Sequence, residues 1–147
     1  MKVLSLNVGL PRKVLFNGQT VTTGIFKDPV EGPIMLRNLN LDGDKQADLT
    51  VHGGVDKAVY SYPAEHYDYW RKQFRTWISC GGMFGENFTT DGLMEEIVNI
   101  GDQLQIDSSR AFIHLLLCYY YHWCSCDISI SSTHIRVKLA AGARKDI

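Results

Sequence analysis

The sequence predicts a mainly β fold, either a barrel or another compact arrangement of strands, with one convincing helix. Three features support this prediction: period-two alternation near the start, an Asn-Gly pair between two apolar runs, and one amphipathic stretch of helical period. The chain has 147 residues with neither an internal repeat nor a linker, so we predict a single domain over residues 1–147. Many short strands with one helix are typical of a small barrel.

The strands are predicted from local patterns in chain order. Leu4 to Val8 alternates apolar and polar residues, as a half-buried strand does. Asn17-Gly18 separates Val14 to Phe16 from Thr20 to Phe26 and predicts a hairpin, because both turn residues tolerate positive φ. Further strands are predicted at residues 34–36 with Leu39 and Leu41, at 103–106 after the Gly101-Asp102 turn, and at 135–139.

The helix is predicted from Pro63 to about Phe74. Proline suits the first helical position, where its missing N–H costs nothing. Tyr67, Trp70 and Phe74 recur at helical spacing, so we predict that this stripe belongs to the core. On the opposite side, Asp68 and Lys72 are placed to pair at i, i+4.

The composition limits the range of functions. A net charge of −1 argues against broad nucleic-acid binding, which requires a strongly basic surface, but leaves room for a local basic pocket that binds one anionic ligand. No signal peptide is recognisable, and the longest apolar run, Leu115 to Tyr121, is far shorter than the roughly 18–20 residues that span a bilayer. We therefore expect a cytoplasmic protein that binds neither a membrane nor a nucleic-acid polymer. Its cysteines are then expected to be free thiols: Cys80, Cys118, Cys124 and Cys126.

The first candidate site combines a histidine, two glycines and a lysine. Gly53 and Gly54 allow the backbone to approach a ligand closely, with its N–H groups turned outward. Lys57 can place positive charge near an anion, and His52 can donate a hydrogen bond or shuttle a proton. Residue types alone leave the alternative of an ordinary polar hairpin open.

The second candidate site lies in the glycine-punctuated loop of residues 79–92. Glu86 can act as a general base, or it can order the loop by accepting backbone N–H bonds. Asn87 can both donate and accept, which suits recognition of a pterin-like heterocycle. A third cluster, His114, Cys118, His122, Cys124 and Cys126, has a poor spacing for structural zinc, so free thiols are the favoured interpretation.

Taken together, several blocks of the sequence closely resemble the signature of small bacterial MOSC proteins, and the resemblance covers residues 1 to about 106. The blocks are Leu41-Asp42-Gly43-Asp44-Lys45-Gln46-Ala47, Val51 to Tyr60, Tyr62 to Trp70, Gly82 to Leu93 and Ile100-Gly101-Asp102. MOSC denotes the C-terminal domain of molybdenum-cofactor sulfurases. The resemblance implies a MOSC-type β-barrel of the pyruvate-kinase-barrel kind with short helices.

The resemblance also implies a function. It implies binding of the molybdenum cofactor (molybdopterin) and, from relatives of this branch, reduction of N-hydroxylated small molecules with electrons from a redox partner. Other MOSC domains transfer sulfur together with pyridoxal-phosphate-dependent cysteine desulfurases, which is the main alternative. By position, Glu86 matches a family motif residue around the cofactor cleft, and the general-base role open to its carboxylate makes it a candidate catalytic residue. The resemblance implies these cofactor-binding residues: His52, Gly53, Gly54, Lys57, Asn87, Phe88 and Thr89.

The resemblance ends after about Ile106. The family continues with Gln-Pro-Arg-x-Pro-Cys-Tyr-Lys, whose cysteine is the expected molybdenum ligand, since a soft thiolate suits this metal. This chain has no proline after Pro63 and offers Cys118-Tyr119 instead, which makes Cys118 the candidate metal ligand and catalytic residue. Either the C-terminal part has diverged or an altered reading frame has replaced it. The barrel is then incomplete unless residues 107–147 supply its strands, and an inactive member of the family is a further hypothesis.

Overall fold

The computed structural model describes the backbone of residues 1–50, 52, 59–74, 81–106, 109–119, 123–130 and 135–137, and within these ranges the side chains up to residue 104. Eleven strands, one α-helix and one short 3-10 helix occupy these ranges. The strands are β1 (Lys2–Val8), β2 (Arg12–Phe16), β3 (Gln19–Thr23), β4 (Asp28–Pro29), β5 (Ile34–Leu36), β6 (Val59–Pro63), β7 (Phe88–Asp91), β8 (Gln103–Ile106), β9 (Ser109–Tyr119), β10 (Trp123–Ile130) and β11 (Ile135–Val137). The helix α1 spans Glu65–Phe74, and the 3-10 helix spans Glu95–Ile97.

Seven strands form the main sheet in the order β4-β1-β7-β6-β10-β9-β8. Its neighbours pair antiparallel except β6 and β7, which run parallel with Ser61 opposite Phe88. Two further pairs, β2-β3 and β5-β11, form separate two-stranded sheets. The prediction of a mainly β fold with one helix is confirmed. Among the described strands, no pairing joins β4 to β8, so the main sheet is not closed into a barrel.

The predicted hairpin is present as β2 and β3. Asn17 and Gly18 both have positive φ, 49° and 77°, as a two-residue turn matched to strand twist requires. Strand β3 ends at Thr23, three residues before the predicted end. The Thr23 hydroxyl accepts the N–H of Ile25 at 3.2 Å, and this local turn replaces the strand pairing.

The helix begins at Glu65, so the predicted start at Pro63 is wrong. Pro63 is the last residue of β6 and lies opposite Thr90 of β7. The chain then turns, and Ala64 N donates to Thr90 O at 2.6 Å before the helix starts. On the exposed side, Asp68 pairs with Arg71 at 2.8 Å. This is an i, i+3 pair, whereas the sequence predicted the i, i+4 pair with Lys72.

A compact apolar cluster lies between the main sheet and the neighbouring loops. Its buried members are Leu6, Leu36, Leu41, Val59, Phe88, Leu93 and Val98. The helical stripe belongs to the core only in part. Tyr67 is buried, whereas Phe74 is 61% exposed and stacks on Trp70 at 5.6 Å. The prediction was wrong for Phe74, because its ring lies against Trp70 at the end of the helix and leaves most of its surface in solvent. Within the described residues, no helix is long and apolar enough to cross a membrane.

Candidate functional site

Glu86 comes two residues before β7 in the sequence and lies at the centre of a buried polar cluster. Its side chain is fully buried. Its Oε1 accepts hydrogen bonds from Gly82 N at 2.7 Å, from Thr89 Oγ1 at 2.9 Å and from the Tyr67 hydroxyl. Its Oε2 accepts from Phe84 N at 3.1 Å. Four donors therefore converge on one carboxylate, which offsets the cost of removing it from water.

The glycines of the preceding loop make this arrangement sterically feasible. Gly82 has φ +90°, and a Cβ there would overlap the carbonyl oxygen of Lys27. A Cβ at Gly81 would overlap Thr89 Oγ1, one of the donors to Glu86. The loop therefore requires glycine at both positions, because only a bare Cα fits against the neighbouring backbone and hydroxyl. Gly85 N donates to Gly82 O at 3.1 Å and closes the turn.

Tyr67 connects the helix to this loop. Its hydroxyl donates to Glu86 and accepts Met83 N at 3.3 Å. Burial, and next the charge of Glu86, raise the pKa of Tyr67 far above its ordinary value, so the hydroxyl keeps its proton and remains a donor. The helical spacing in the sequence predicts Tyr67 only as a core residue. A tyrosine where a phenylalanine would fill the same stripe was the available signal.

A chain of side-chain hydrogen bonds extends from Glu86 into β1. Thr89 Oγ1 accepts from Asn7 Nδ2 at 3.1 Å, and Asn7 Oδ1 accepts from Ser5 Oγ at 2.7 Å. Asn87 joins the same two regions, since its Nδ2 donates to Asn7 O and its Oδ1 accepts Tyr60 N, both at 3.2 Å. The predicted ligand-binding amide and hydroxyl are thus bonded to protein groups.

Two other buried polar pairs flank this cluster and were not anticipated from the sequence. His66 Nε2 lies 3.0 Å from Glu95 Oε2, and both side chains are almost fully buried. This contact holds the short 3-10 helix against α1. On the other side, Lys27 pairs with Asp44, whose Oδ1 also accepts Gly9 N at 3.0 Å. Among the described groups, none donates to the buried Oδ2 of Asp44.

The remaining predicted site residues are placed differently. His52 is exposed, and its backbone N–H donates to Asp48 O at 2.9 Å. Gly53, Gly54 and Lys57 lie outside the described residues. Phe88 is a core residue of β7 and is 1% exposed.

The candidate metal ligand is placed only through its backbone. Cys118 lies in β9, directly opposite Cys124 of β10. In the described residues, no group of three or more His, Cys, Asp or Glu side chains is arranged to hold a metal ion. The structure thus brings Glu86 and Thr89 together and places His52 apart from them, at the surface.

The geometry favours one of the two interpretations left open for Glu86. A general base needs an accessible oxygen with a free lone pair. The Glu86 carboxylate is buried and already accepts from Gly82, Phe84, Thr89 and Tyr67. Its evident effect is to fix the loop of residues 81–85, whose tip exposes Met83.

Comparison with known proteins identifies relatives for the greater part of the chain. It is 48% identical over 107 residues to the uncharacterized protein YflK of Bacillus subtilis, covering 73% of this chain and 48% of YflK. It is 46% identical over 82 residues to the protein YiiM of Escherichia coli, covering 54% of this chain and 37% of YiiM. A more distant relative, described as a reductase, is from Gibberella moniliformis. It is 31% identical over 102 residues, which are 68% of this chain and 18% of that protein.

The fold is also shared with a solved structure. YiiM from Geobacillus stearothermophilus superposes with a TM-score of 0.68 at 22% identity, covering 93% of this chain and 70% of that one. At this identity, the likeness shows the fold alone. The present chain spans about half of YflK and less of the other two curated relatives. The family model of the MOSC domain matches residues 48–117, so this part of the chain belongs to the MOSC domain family.

Proposed function

We propose that this chain binds the molybdenum cofactor and takes part in the reduction of N-hydroxylated small molecules. One observation carries the proposal: the MOSC match over residues 48–117 contains both candidate motifs, residues 52–57 and 86–89, and ends one residue before Cys118. The MOSC family is generally associated with this cofactor. The name of the Gibberella relative, a reductase, agrees with the proposed class of reaction.

The two motifs are proposed to contribute in different ways. Of the two motifs, the first would hold the cofactor directly, because His52 is exposed while the polar atoms of Asn87 and Thr89 are bonded to protein. Backbone N–H groups near Gly53 and Gly54, together with Lys57, would hold a phosphate. Asn87, Phe88 and Thr89 would form the wall behind the cofactor, with Glu86 ordering the loop beside them.

The donor set fits the cofactor in two respects. The buried Asp44 Oδ2, with no donor among the described groups, is an acceptor that an N–H of a heterocycle would satisfy. Cys118 would supply a thiolate, the soft ligand that molybdenum takes. When bound, the cofactor supplies two-electron redox chemistry. The net reaction consumes two protons and two electrons, converts an N–OH group to N–H and releases water, with the electrons coming from a partner redox protein.

Metal and pterin analysis would test this proposal. The chain is expressed with ample molybdate, purified without oxygen and analysed for molybdenum by mass spectrometry and for pterin by fluorescence after oxidation. We expect both in near-equal amounts in the wild type. We expect pterin but little molybdenum in Cys118→Ala, and little of either in Lys57→Ala. Lys13→Ala is the matched control, because Lys13 is an exposed lysine of β2 outside both motifs. A wild-type protein without molybdenum and pterin would refute the proposal.

The alternative of sulfur transfer makes a different prediction. A sulfur carrier incubated with a cysteine desulfurase and free cysteine acquires a persulfide, seen as the added mass of one sulfur atom. An inactive member acquires neither the cofactor nor the persulfide. Hydrogen exchange in residues 107–147 then separates an inactive folded chain from a partly folded one, because a cooperative fold protects its amides.

A further inference from the structure

Two cysteines occupy directly opposite positions in the long β9–β10 hairpin. Cys118 of β9 is the register partner of Cys124 of β10, and the adjacent pair is Tyr119 opposite Trp123. The register is regular from Trp123 to Asp127, and its irregularity comes only after Asp127. The pairing of the two cysteines therefore follows from an uninterrupted stretch of antiparallel ladder.

This register brings the two backbones within disulfide range. Directly opposite residues of antiparallel strands have Cα atoms about 4.5 or 5.5 Å apart, depending on the type of pair. A disulfide needs Cα atoms roughly 4.4–6.8 Å apart, so either type of pair satisfies the requirement. Cys126, by contrast, lies opposite Leu116. The ladder therefore singles out Cys118 and Cys124.

We infer that Cys118 and Cys124 form a reversible disulfide when the protein meets a low-molecular-weight disulfide. One cysteine thiolate attacks the small disulfide, forms a mixed disulfide and releases one small thiol. The second cysteine thiolate then attacks the protein sulfur of the mixed disulfide and releases the other small thiol. The protein loses two hydrogens as two protons and two electrons, and the small disulfide gains them. Under reducing conditions the same exchange runs backwards and restores both thiols.

The disulfide would act as a switch on the candidate metal site. This consequence rests on the proposed function, in which Cys118 supplies a thiolate to molybdenum. A sulfur held in a disulfide is no longer an anionic ligand, so oxidation would remove the metal donor. The disulfide itself is a property of the β9–β10 register and is measured without any metal.

Thiol counting and peptide mapping would test the inference. Fully reduced protein is incubated with mixtures of oxidised and reduced glutathione, free thiols are blocked by alkylation, and the intact mass is measured. We expect a species with two fewer alkylated thiols and no attached glutathione. Chymotrypsin cuts after the aromatic residues between the two cysteines, so in the native map the peptides carrying Cys118 and Cys124 stay joined until a reductant is added.

Single substitutions identify the partners. Cys118→Ser and Cys124→Ser should each prevent the internal bond and leave one glutathione attached, whereas Cys80→Ser and Cys126→Ser should leave the bond intact. Guanidine-unfolded protein is a further control and should form this bond less completely than the folded protein, because the register no longer holds the two backbones opposite each other. The inference would be overturned if the wild-type map showed glutathione adducts only, or if Cys118 were joined to Cys80 or Cys126. The wild-type map needs no variant, so a misfolded variant would not obscure the answer.

Discussion

Replacing Tyr67 by phenylalanine removes one hydroxyl from the Glu86 cluster and keeps the ring in place. The lost group donates to the Glu86 carboxylate and accepts Met83 N at 3.3 Å. A hydrogen bond to a charged group contributes about 1.5–3 kcal/mol, and no cavity beyond the oxygen is created. Because Met83 is at an exposed loop tip, its N–H can turn to water. We therefore expect Tyr67→Phe to lower the free energy of unfolding by about 2 kcal/mol.

Urea denaturation followed by circular dichroism would measure this change. With an m-value of about 2 kcal/mol/M, the midpoint should fall by about 1 M. Tyr62→Phe is the matched control, because the buried Tyr62 hydroxyl accepts a neutral hydrogen bond from Trp70 Nε1 at 2.9 Å. Its loss should cost only about 1 kcal/mol. If Tyr67→Phe destabilised the protein no more than Tyr62→Phe, the view that Tyr67 stabilises a buried Glu86 charge would be refuted.

Three other predictions concern the ionisation of Tyr67, the glycines with positive φ and the contact between His66 and Glu95. Burial and the Glu86 charge raise the pKa of Tyr67, so above about pH 10 only the unfolded chain ionises it. The free energy of unfolding of the wild type should therefore fall with rising pH more steeply than that of Tyr67→Phe. The two slopes should differ by up to about 1.4 kcal/mol per pH unit when both proteins are unfolded in urea at the same series of pH values. Gly82→Ala should lower the free energy of unfolding in urea by more than about 2 kcal/mol, because the added Cβ would overlap the backbone carbonyl oxygen of Lys27. Gly18 also has a positive φ, but an added Cβ there would meet no other atom, so Gly18→Ala should lower the free energy of unfolding by only about 1–2 kcal/mol. Equal losses in Gly82→Ala and Gly18→Ala would contradict this reasoning. Glu95→Ala should lower the free energy of unfolding by about 1.5–3 kcal/mol, because it removes the buried contact between Glu95 and His66, and an unchanged urea midpoint would show that this contact contributes nothing.

The elements predicted well from the sequence are those that local chemistry decides. The β2–β3 hairpin is set by Asn17-Gly18, whose positive φ values are present in the fold as expected. The start of the helix was not predictable in this way. Pro63 is compatible with a first helical turn, but its parallel pairing with Thr90 of β7 keeps it in a strand. Pairing between residues distant in sequence leaves no local signal.

The same limit applies to the polar groups around the site. Both roles considered for Glu86 come from its local sequence, because the glycines around it indicate a loop that an accepting side chain can order. The donors from Gly82 and Phe84 are local, but the Tyr67 hydroxyl comes from the helix. His66 and Glu95 are 29 residues apart, and nothing in either segment indicates that they meet.

The burial of the second motif determines how substitutions there can be interpreted. The Asn87 side chain bonds to the backbone at Asn7 of β1 and at Tyr60 of β6, so removing it loosens the contact of β7 with two strands. A loss of activity in an Asn87 variant would therefore follow from lost structure as readily as from a lost ligand contact. His52 is exposed, and its side chain can be changed without opening the core. The clearest test of cofactor binding is therefore substitution of His52, with stability measured alongside, because a selective loss of binding at an exposed residue has a single physical explanation.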